Sequence, residues 1–384
     1  MGFTMRNSRV RHLAMRSVLI TLLHQVGVVG AVSIPEPTGP YHVSTSTHMI
    51  EHFNPNDPLA PNNVSTAFLA TIFYPTLQKP ACKPQPYLNP ETAAYYEKSW
   101  NYLPGLLASI TSTLQHDAPF LEGPAGKSPY PTILFGPGGV GPPVEGSTIM
   151  LSELASYGYT VVGLDHPFEQ PFLRFPNGTG VYGVDVDYSD IPLLDAIYET
   201  RLVDNAVFLE YFPELVRKLN APINTTHIGS LGYSLGGAAA LGSMYSDDRL
   251  VSGFNLDGSL YARLNSTNAD IGKPVLMLGS EFHHTGGEIT DITWTTFFSH
   301  QSGYVREMSI KGTMHHDLCD DTFWKTIEGD DPTTGPIDGH RLVKVLNAYI
   351  KAFFDFTLLG QNSPILDGPS PDWPEVVFYD LSNS

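Results

Sequence analysis

Short apolar runs alternate along this chain with stretches of helical periodicity, the pattern of a βαβ sheet. Ala67 to Tyr74 (AFLATIFY), closed by Pro75, reads as an early strand, and Thr132 to Phe135 (TILF) as another that enters a glycine-rich turn. Ile149 to Tyr157 is an amphipathic helix stopped by Gly158, and Tyr159 to Leu164 (YTVVGL) a buried strand ending at Asp165-His166-Pro167. Apolar spacing from Ile191 to Leu219 fits one long helix or two abutting ones interrupted near Pro213. His227 to Leu231 is a short strand, the residues after Gly236 are small and helix-compatible, and Val251 to Leu256, Pro274 to Leu278 and Val305 to Ile310 are further strands. A terminal helix over Arg341 to Phe356 carries an apolar stripe to pack on the sheet. The prediction is a mostly parallel α/β sheet flanked by helices. A long aromatic-rich insertion, 79–130, interrupts the early strands, with a helical stretch around Tyr102 to Leu114; insertions of that length commonly wall a binding site.

The first 33 residues differ from the rest. Arg6, Arg9, Arg11 and Arg16 precede an apolar run from Val18 to Val32, the order of a secretory signal peptide, and small residues at Ala31 and Ser33 support cleavage before Ile34. His24 and Gln25 interrupt that run, which keeps an uncleaved membrane anchor open as the alternative. Residues 34–384 then form one large domain. Asn-x-Ser/Thr acceptors at Asn63, Asn177, Asn224 and Asn265 agree with secretion. Cys82 and Cys319 are the two cysteines, and an oxidising compartment permits them to pair; two thiols make neither a disulfide framework nor a zinc site. With 39 acidic against 21 basic side chains the net charge is −18, which repels phosphate backbones and excludes nucleic acid as a partner.

The chemistry centres on Gly232-Tyr233-Ser234-Leu235-Gly236, a G-x-S-x-G pentapeptide between a strand and an Ala-rich helix. That context makes Ser234 a nucleophile held out above a sheet at the positive end of a helix. A serine hydroxyl needs a base and an orienting acid. Asp257, at the end of the Val251 to Leu256 strand, is the acid; Asp270, in a polar loop, is its competitor. The base comes from Gly312-Thr-Met-His315-His316-Asp317, after the last strand, with His315 and His316 both in place for it. His283, His284, His300 and His340 read as exposed or packing histidines. Leu235, following the nucleophile, offers one backbone N–H to an oxyanion, and the turn Phe135 to Gly141 offers another. No phosphate-binding lysine motif follows that turn, and no metal or organic cofactor is implied.

Taken together, the F-x-x-G turn at Phe135 to Gly138, Y-T-V-V-G-L-D-H at Tyr159 to His166, G-Y-S-L-G-G at the elbow, L-D-G at Leu256 to Gly258 and G-T-M-H at Gly312 to His315 resemble the platelet-activating factor acetylhydrolase family and its fungal esterase relatives. The resemblance runs from about Ala67 to Leu359 and implies an α/β-hydrolase fold, with Ser234, Asp257 and His315 as a triad and the N–H groups of Leu235 and Gly139 as oxyanion donors. It departs at Pro137, where the family usually carries a histidine. The implied activity is hydrolysis of a short, acetyl-like acyl ester of a phospholipid-like or other small molecule, with transient contact to a lipid surface. An acyl transferase or lactonase on the same triad is the alternative, and a non-catalytic binding module on a hydrolase fold a weaker one.

Overall fold

The structure, a computed structural model, describes residues 32–122, 130–266, 268–284, 291–329 and 332–379. The leader-like segment falls almost entirely outside the described residues. Within them, Ile34 N–H donates to Thr111 O and Thr111 N–H to Val32 O, so residues 32–34 are tied to the 79–130 segment.

Strands β1 (His42–Asn54) and β2 (Ser65–Thr76) form an antiparallel pair. The insertion then supplies β3 (Gln85–Pro86), helix α1 (Pro90–Ser99), β4 (Thr111–Ser112) and β5 (Gln115–His116). Next come β6 (Tyr130–Gly136), α2 (Thr148–Ser156), β7 (Thr160–Asp165), the hairpin β8 (Phe172–Arg174) and β9 (Gly180–Tyr182), and α3 (Ile191–Leu219). The second half runs β10 (Ile223–Tyr233), α4 (Leu235–Ser243), β11 (Leu250–Leu256), β12 (Val275–Ser280), α5 (Glu281–His284), α6 (Ile292–Phe298), β13 (Val305–Ile310), α7 (Asp321–Glu328), α8 (Gly339–Leu359) and β14 (Val376–Phe378).

Ten strands make one sheet in the order β14-β13-β12-β11-β10-β6-β7-β2-β1-β5, with β7 through β13 parallel, β14, β2 and β1 joined by antiparallel pairs outside them, and edge strand β5 parallel to β1. Helices α2 and α8 bury Met150, Leu154, Leu346 and Phe353 against one face. Helices α3 and α4 bury Phe208, Phe212, Ala238 and Leu241 against the other. Both faces being covered explains why the parallel strands read as continuous apolar runs. This doubly covered, mostly parallel sheet is the expected α/β-hydrolase architecture.

Two expectations need correction. The helical stretch placed around Tyr102 to Leu114 is instead a 3-10 turn at Leu107–Ser109 followed by β4 and β5, because Pro104-Gly105 breaks the helix and Ser112 pairs with Gln85. The insertion's helix lies earlier, at α1, where Asn89 caps Glu91 N–H and Pro90 takes the first turn. Strand β1 carries no element in the sequence reading, since its polar run of Ser44, Thr45 and Ser46 is buried by hydrogen bonding: Ser44 and Thr45 donate to Gln115 O.

Helix α3 is a single element of 29 residues through Pro213. Proline lacks the N–H that would bond Leu209 O one turn back. Arg249 Nη1 donates to that carbonyl at 2.7 Å, which replaces the lost bond.

Candidate active site

The C-terminal ends of the parallel strands converge on one cavity, where open α/β sheets bind ligands. At the end of β10, Ser234 adopts φ 53 and ψ −126, a strained conformation for a residue with a side chain. Its N–H donates to Leu256 O at 2.8 Å. The flanking glycines are steric necessities. A Cβ on Gly232 would stand 2.1 Å from Gly236 O, and one on Gly236 2.1 Å from Gly136 O. Strand β10 therefore passes into α4 within contact of the end of β6.

Asp257 follows β11 with φ 56, and its N–H donates to Leu278 O. A Cβ on Gly258 would meet Ser234 O at 2.1 Å, so the Asp257 loop crosses directly behind Ser234. Asn255 closes that loop by exchanging hydrogen bonds with Gly258 N–H and O. His315 opens a 3-10 turn after β13, and the turn is held by buried Asp317, which accepts from Met314 N–H, Gly335 N–H and Lys325 Nζ.

These three loops bring the named residues together. His315 Nδ1 donates to Asp257 Oδ2 at 2.7 Å, and Ser234 Oγ lies 3.0 Å from His315 Nε2. Because Nδ1 faces a carboxylate it carries the ring proton, which leaves Nε2 as acceptor for the serine hydroxyl. His316 points elsewhere, its ring 5.7 Å from Trp100 and its Nδ1 3.6 Å from Asp321 Oδ2. Asp270 lies in an exposed loop, where it accepts from Ser302 and Gly272.

His300 and His340 are exposed, and the His284 side chain lies outside the described residues. His283 does more than pack. Its Nδ1 stands 3.0 Å from Asp257 Oδ1 and its Nε2 3.1 Å from Asp291 Oδ2, the latter an ion-pair contact not aligned as a hydrogen bond. Burial disfavours charge on Asp257, but hydrogen bonds from His283 and His315 and the charges on both rings outweigh it, holding the carboxyl well below the usual range. Burial likewise opposes charge on His283, and its two carboxylate partners override it, raising the imidazole to about 9.

On the opposite side of Ser234, Arg201 of α3 is fully buried and donates to Pro137 O and, at 3.0 Å, to Gly138 O. Glu169 accepts from its Nε at 3.1 Å and from its Nη2. In a trans peptide C=O and the next N–H point in opposite directions, so anchoring Gly138 O turns the Gly139 N–H away from Arg201. Tyr188 Oη donates to Gly139 O at 3.2 Å. Leu235 is the first residue of α4, where an N–H has no intrahelical acceptor. Arg201 and Glu169 went unread in the sequence. The available signal was a charged residue on the buried stripe of Leu194, Ile197, Tyr198 and Phe208.

Ser234, Leu235, Gly139 and His315 line a cavity of about 520 Å³ walled by Tyr95, Tyr96, Trp100, Tyr188 and Tyr261. Tyr95, Tyr96 and Trp100 come from the 79–130 segment. The suggested Cys82–Cys319 disulfide is not formed: Cys82 is exposed, whereas Cys319 is buried, its Sγ 3.4 Å from His316 O. Of the glycosylation acceptors, Asn63, Asn177 and Asn265 are exposed, and Asn224 is half-buried with its Oδ1 accepting from Thr226 and His227 N–H.

Known proteins resemble this chain in sequence and fold. The family described as platelet-activating factor acetylhydrolase, isoform II, matches residues 191–354. A probable 1-alkyl-2-acetylglycerophosphocholine esterase of Arthroderma benhamiae is 27% identical over 90% of this chain and 94% of its own length. A platelet-activating factor acetylhydrolase of Cavia porcellus is 25% identical over 36% of this chain and 31% of its own. Among solved structures, a ferulic acid esterase from Streptomyces cinnamoneus superposes with a TM-score of 0.76 at 25% identity, covering 91% of this chain and all of that one. The chain is similar to platelet-activating factor acetylhydrolases, and it is a carboxylic ester hydrolase of the α/β-hydrolase fold.

Proposed function

We propose that the chain is a secreted serine esterase that removes a short, acetyl-like acyl group from a phospholipid-like or other small ester, 1-alkyl-2-acetylglycerophosphocholine among its substrates. Ser234 is the nucleophile, His315 the general base and Asp257 its orienting acid. The observation that carries this reading is the unbroken line from Ser234 Oγ to His315 Nε2 at 3.0 Å and from His315 Nδ1 to Asp257 Oδ2 at 2.7 Å.

His315 takes the Ser234 proton as Oγ attacks the ester carbonyl, and the N–H groups of Leu235 and Gly139 receive the oxyanion. The imidazolium then gives its proton to the leaving alkoxide, and the alcohol departs from an acyl-Ser234. Water, deprotonated by His315, attacks the acyl carbon; the intermediate collapses to the free acid and restores the serine. The aromatic walls of the cavity suit an apolar ester, and Tyr95 and Tyr188, both exposed at it, are the side chains for transient contact with a lipid surface. Export by residues 1–33, glycans at the four acceptors and the 79–130 segment as a pocket wall belong to the same reading.

The test is hydrolysis of p-nitrophenyl acetate against p-nitrophenyl octanoate by wild type and Ser234→Ala. Acetate turnover that disappears in the variant supports a short-acyl serine esterase, and a preference for octanoate redirects the substrate to longer chains. Equal rates in both proteins refute the nucleophile.

A further inference from the structure

We infer that His283 is a positioning residue of the active site, an imidazolium clamped between Asp257 and Asp291 that fixes the acid's carboxylate and balances its charge. The inference rests on reading Ser234, His315 and Asp257 as the triad. Both ring nitrogens of His283 face carboxylate oxygens, at 3.0 Å and 3.1 Å. An ionised carboxylate only accepts, so a neutral ring would press a lone pair against one of them; a doubly protonated ring attracts both, Asp257 at close range and Asp291 as an ion pair.

The surroundings hold this ring in one place. Trp294 lies against it with ring centroids 4.1 Å apart, and its Nε1 donates to Gly258 O at 2.8 Å, gripping the residue after Asp257. Any Cβ at Gly279 would come within 3.3 Å of Asp257 Oδ1, His283 Cβ and the Trp294 ring alike. Asp291 is itself fixed as the N-cap of α6, accepting from Thr293 N–H at 2.8 Å. Asp257 needs such support, because it is buried at a strained positive φ. Ser280 N–H donates to its Oδ1 at 2.6 Å and His283 meets the same oxygen, leaving Oδ2 for His315.

The charges set the test. Asp291 and His283 cancel, so His315 faces the net single negative charge of Asp257. The other titratable groups around the ring are His315 across Asp257, Glu307 on β13, which burial pushes up to about 7 and His283 draws back, and Glu281, which accepts from Gly312 N–H. Replacing His283 by Gln leaves two carboxylates facing each other and strengthens the negative field at His315. Replacing Asp291 by Asn leaves the imidazolium to cancel Asp257 and weakens it. The two changes therefore move the base in opposite directions.

The experiment is the pH profile of kcat/KM with p-nitrophenyl acetate for wild type, His283→Gln and Asp291→Asn, with Ser234→Ala as the blank and thermal melts confirming folding across the pH range. The expected result is an acid limb raised by about one pH unit in His283→Gln and lowered by about as much in Asp291→Asn. Limbs that coincide with wild type, or that move together, overturn the inference and leave a packing role. Should His283→Gln not fold, the downward shift in Asp291→Asn alone decides. Turnover surviving in Ser234→Ala refutes the triad itself, a distinct outcome.

Discussion

Arg201 Nη2 donates to Gly138 O at 3.0 Å, across 63 residues of sequence, and so sets the peptide whose N–H belongs to Gly139. Arg201→Met should lower kcat about 100-fold, the usual effect of losing one oxyanion donor. It should also destabilise by about 3–5 kcal/mol, because Glu169 is left buried and unpaired. The double variant Arg201→Met with Glu169→Leu separates the two effects: its melting temperature should recover while its kcat stays low. Recovery of both would show that Arg201 acts on stability alone.

Gly236→Ala places a Cβ 2.1 Å from Gly136 O and has no flexible side chain to displace. The expected cost is about 1–3 kcal/mol with near-complete loss of turnover, since Ser234 shifts with the elbow. Denaturant unfolding alongside ester hydrolysis checks both.

Tyr87 Oη donates to Asp320 Oδ2 at 2.7 Å, tying the insertion to the body, and burial pushes Asp320 up to about 7 despite that bond. A carboxyl raised on folding favours the protonated native state, so its contribution is complete below about pH 4 and is lost as pH rises through about 7. Asp165 and Glu307, both also at about 7 through burial, act in the same sense. The melting temperature should therefore fall between about pH 4 and 7, and Asp320→Asn should flatten part of that fall. An unchanged slope would mean Asp320 is ionised in the native state.

Trp100 packs on Tyr96 and Trp324 with ring centroids 5.0 and 5.5 Å away and closes one side of the cavity. Trp100→Ala should raise the octanoate-to-acetate ratio of kcat/KM about tenfold, as apolar volume worth a few kcal/mol of acyl binding opens. A ratio that does not change would place the acyl chain elsewhere.

Alkylation of the native protein should label Cys82 and spare Cys319, whose thiol burial pushes well up. Two labels should appear after unfolding, and reducing agent should leave the melting temperature unchanged. A protein that yields no free thiol until it is reduced would contradict the structure.

What the sequence by itself determined is local. The alternation of apolar runs and helical stretches is enough to predict the sheet, because residues a few positions apart decide which faces are buried. G-Y-S-L-G is legible because a tight strand-to-helix turn requires glycine at its own flanks, at Gly232 and Gly236. Asp257 and the His315-His316 pair are legible as strand-end residues of the right type, and the family resemblance selects His315 between the two. Tertiary structure decided the rest. Nothing near Arg201 in sequence says that its guanidinium reaches Pro137 and Gly138, and nothing near His283 places it between Asp257 and Asp291. The polar β1 became a strand because Gln115 meets its hydroxyls, and Pro213 stayed inside a helix because Arg249 caps the carbonyl it orphaned. In each case the partner is distant along the chain, and a buried polar group is stable only once that partner is in place.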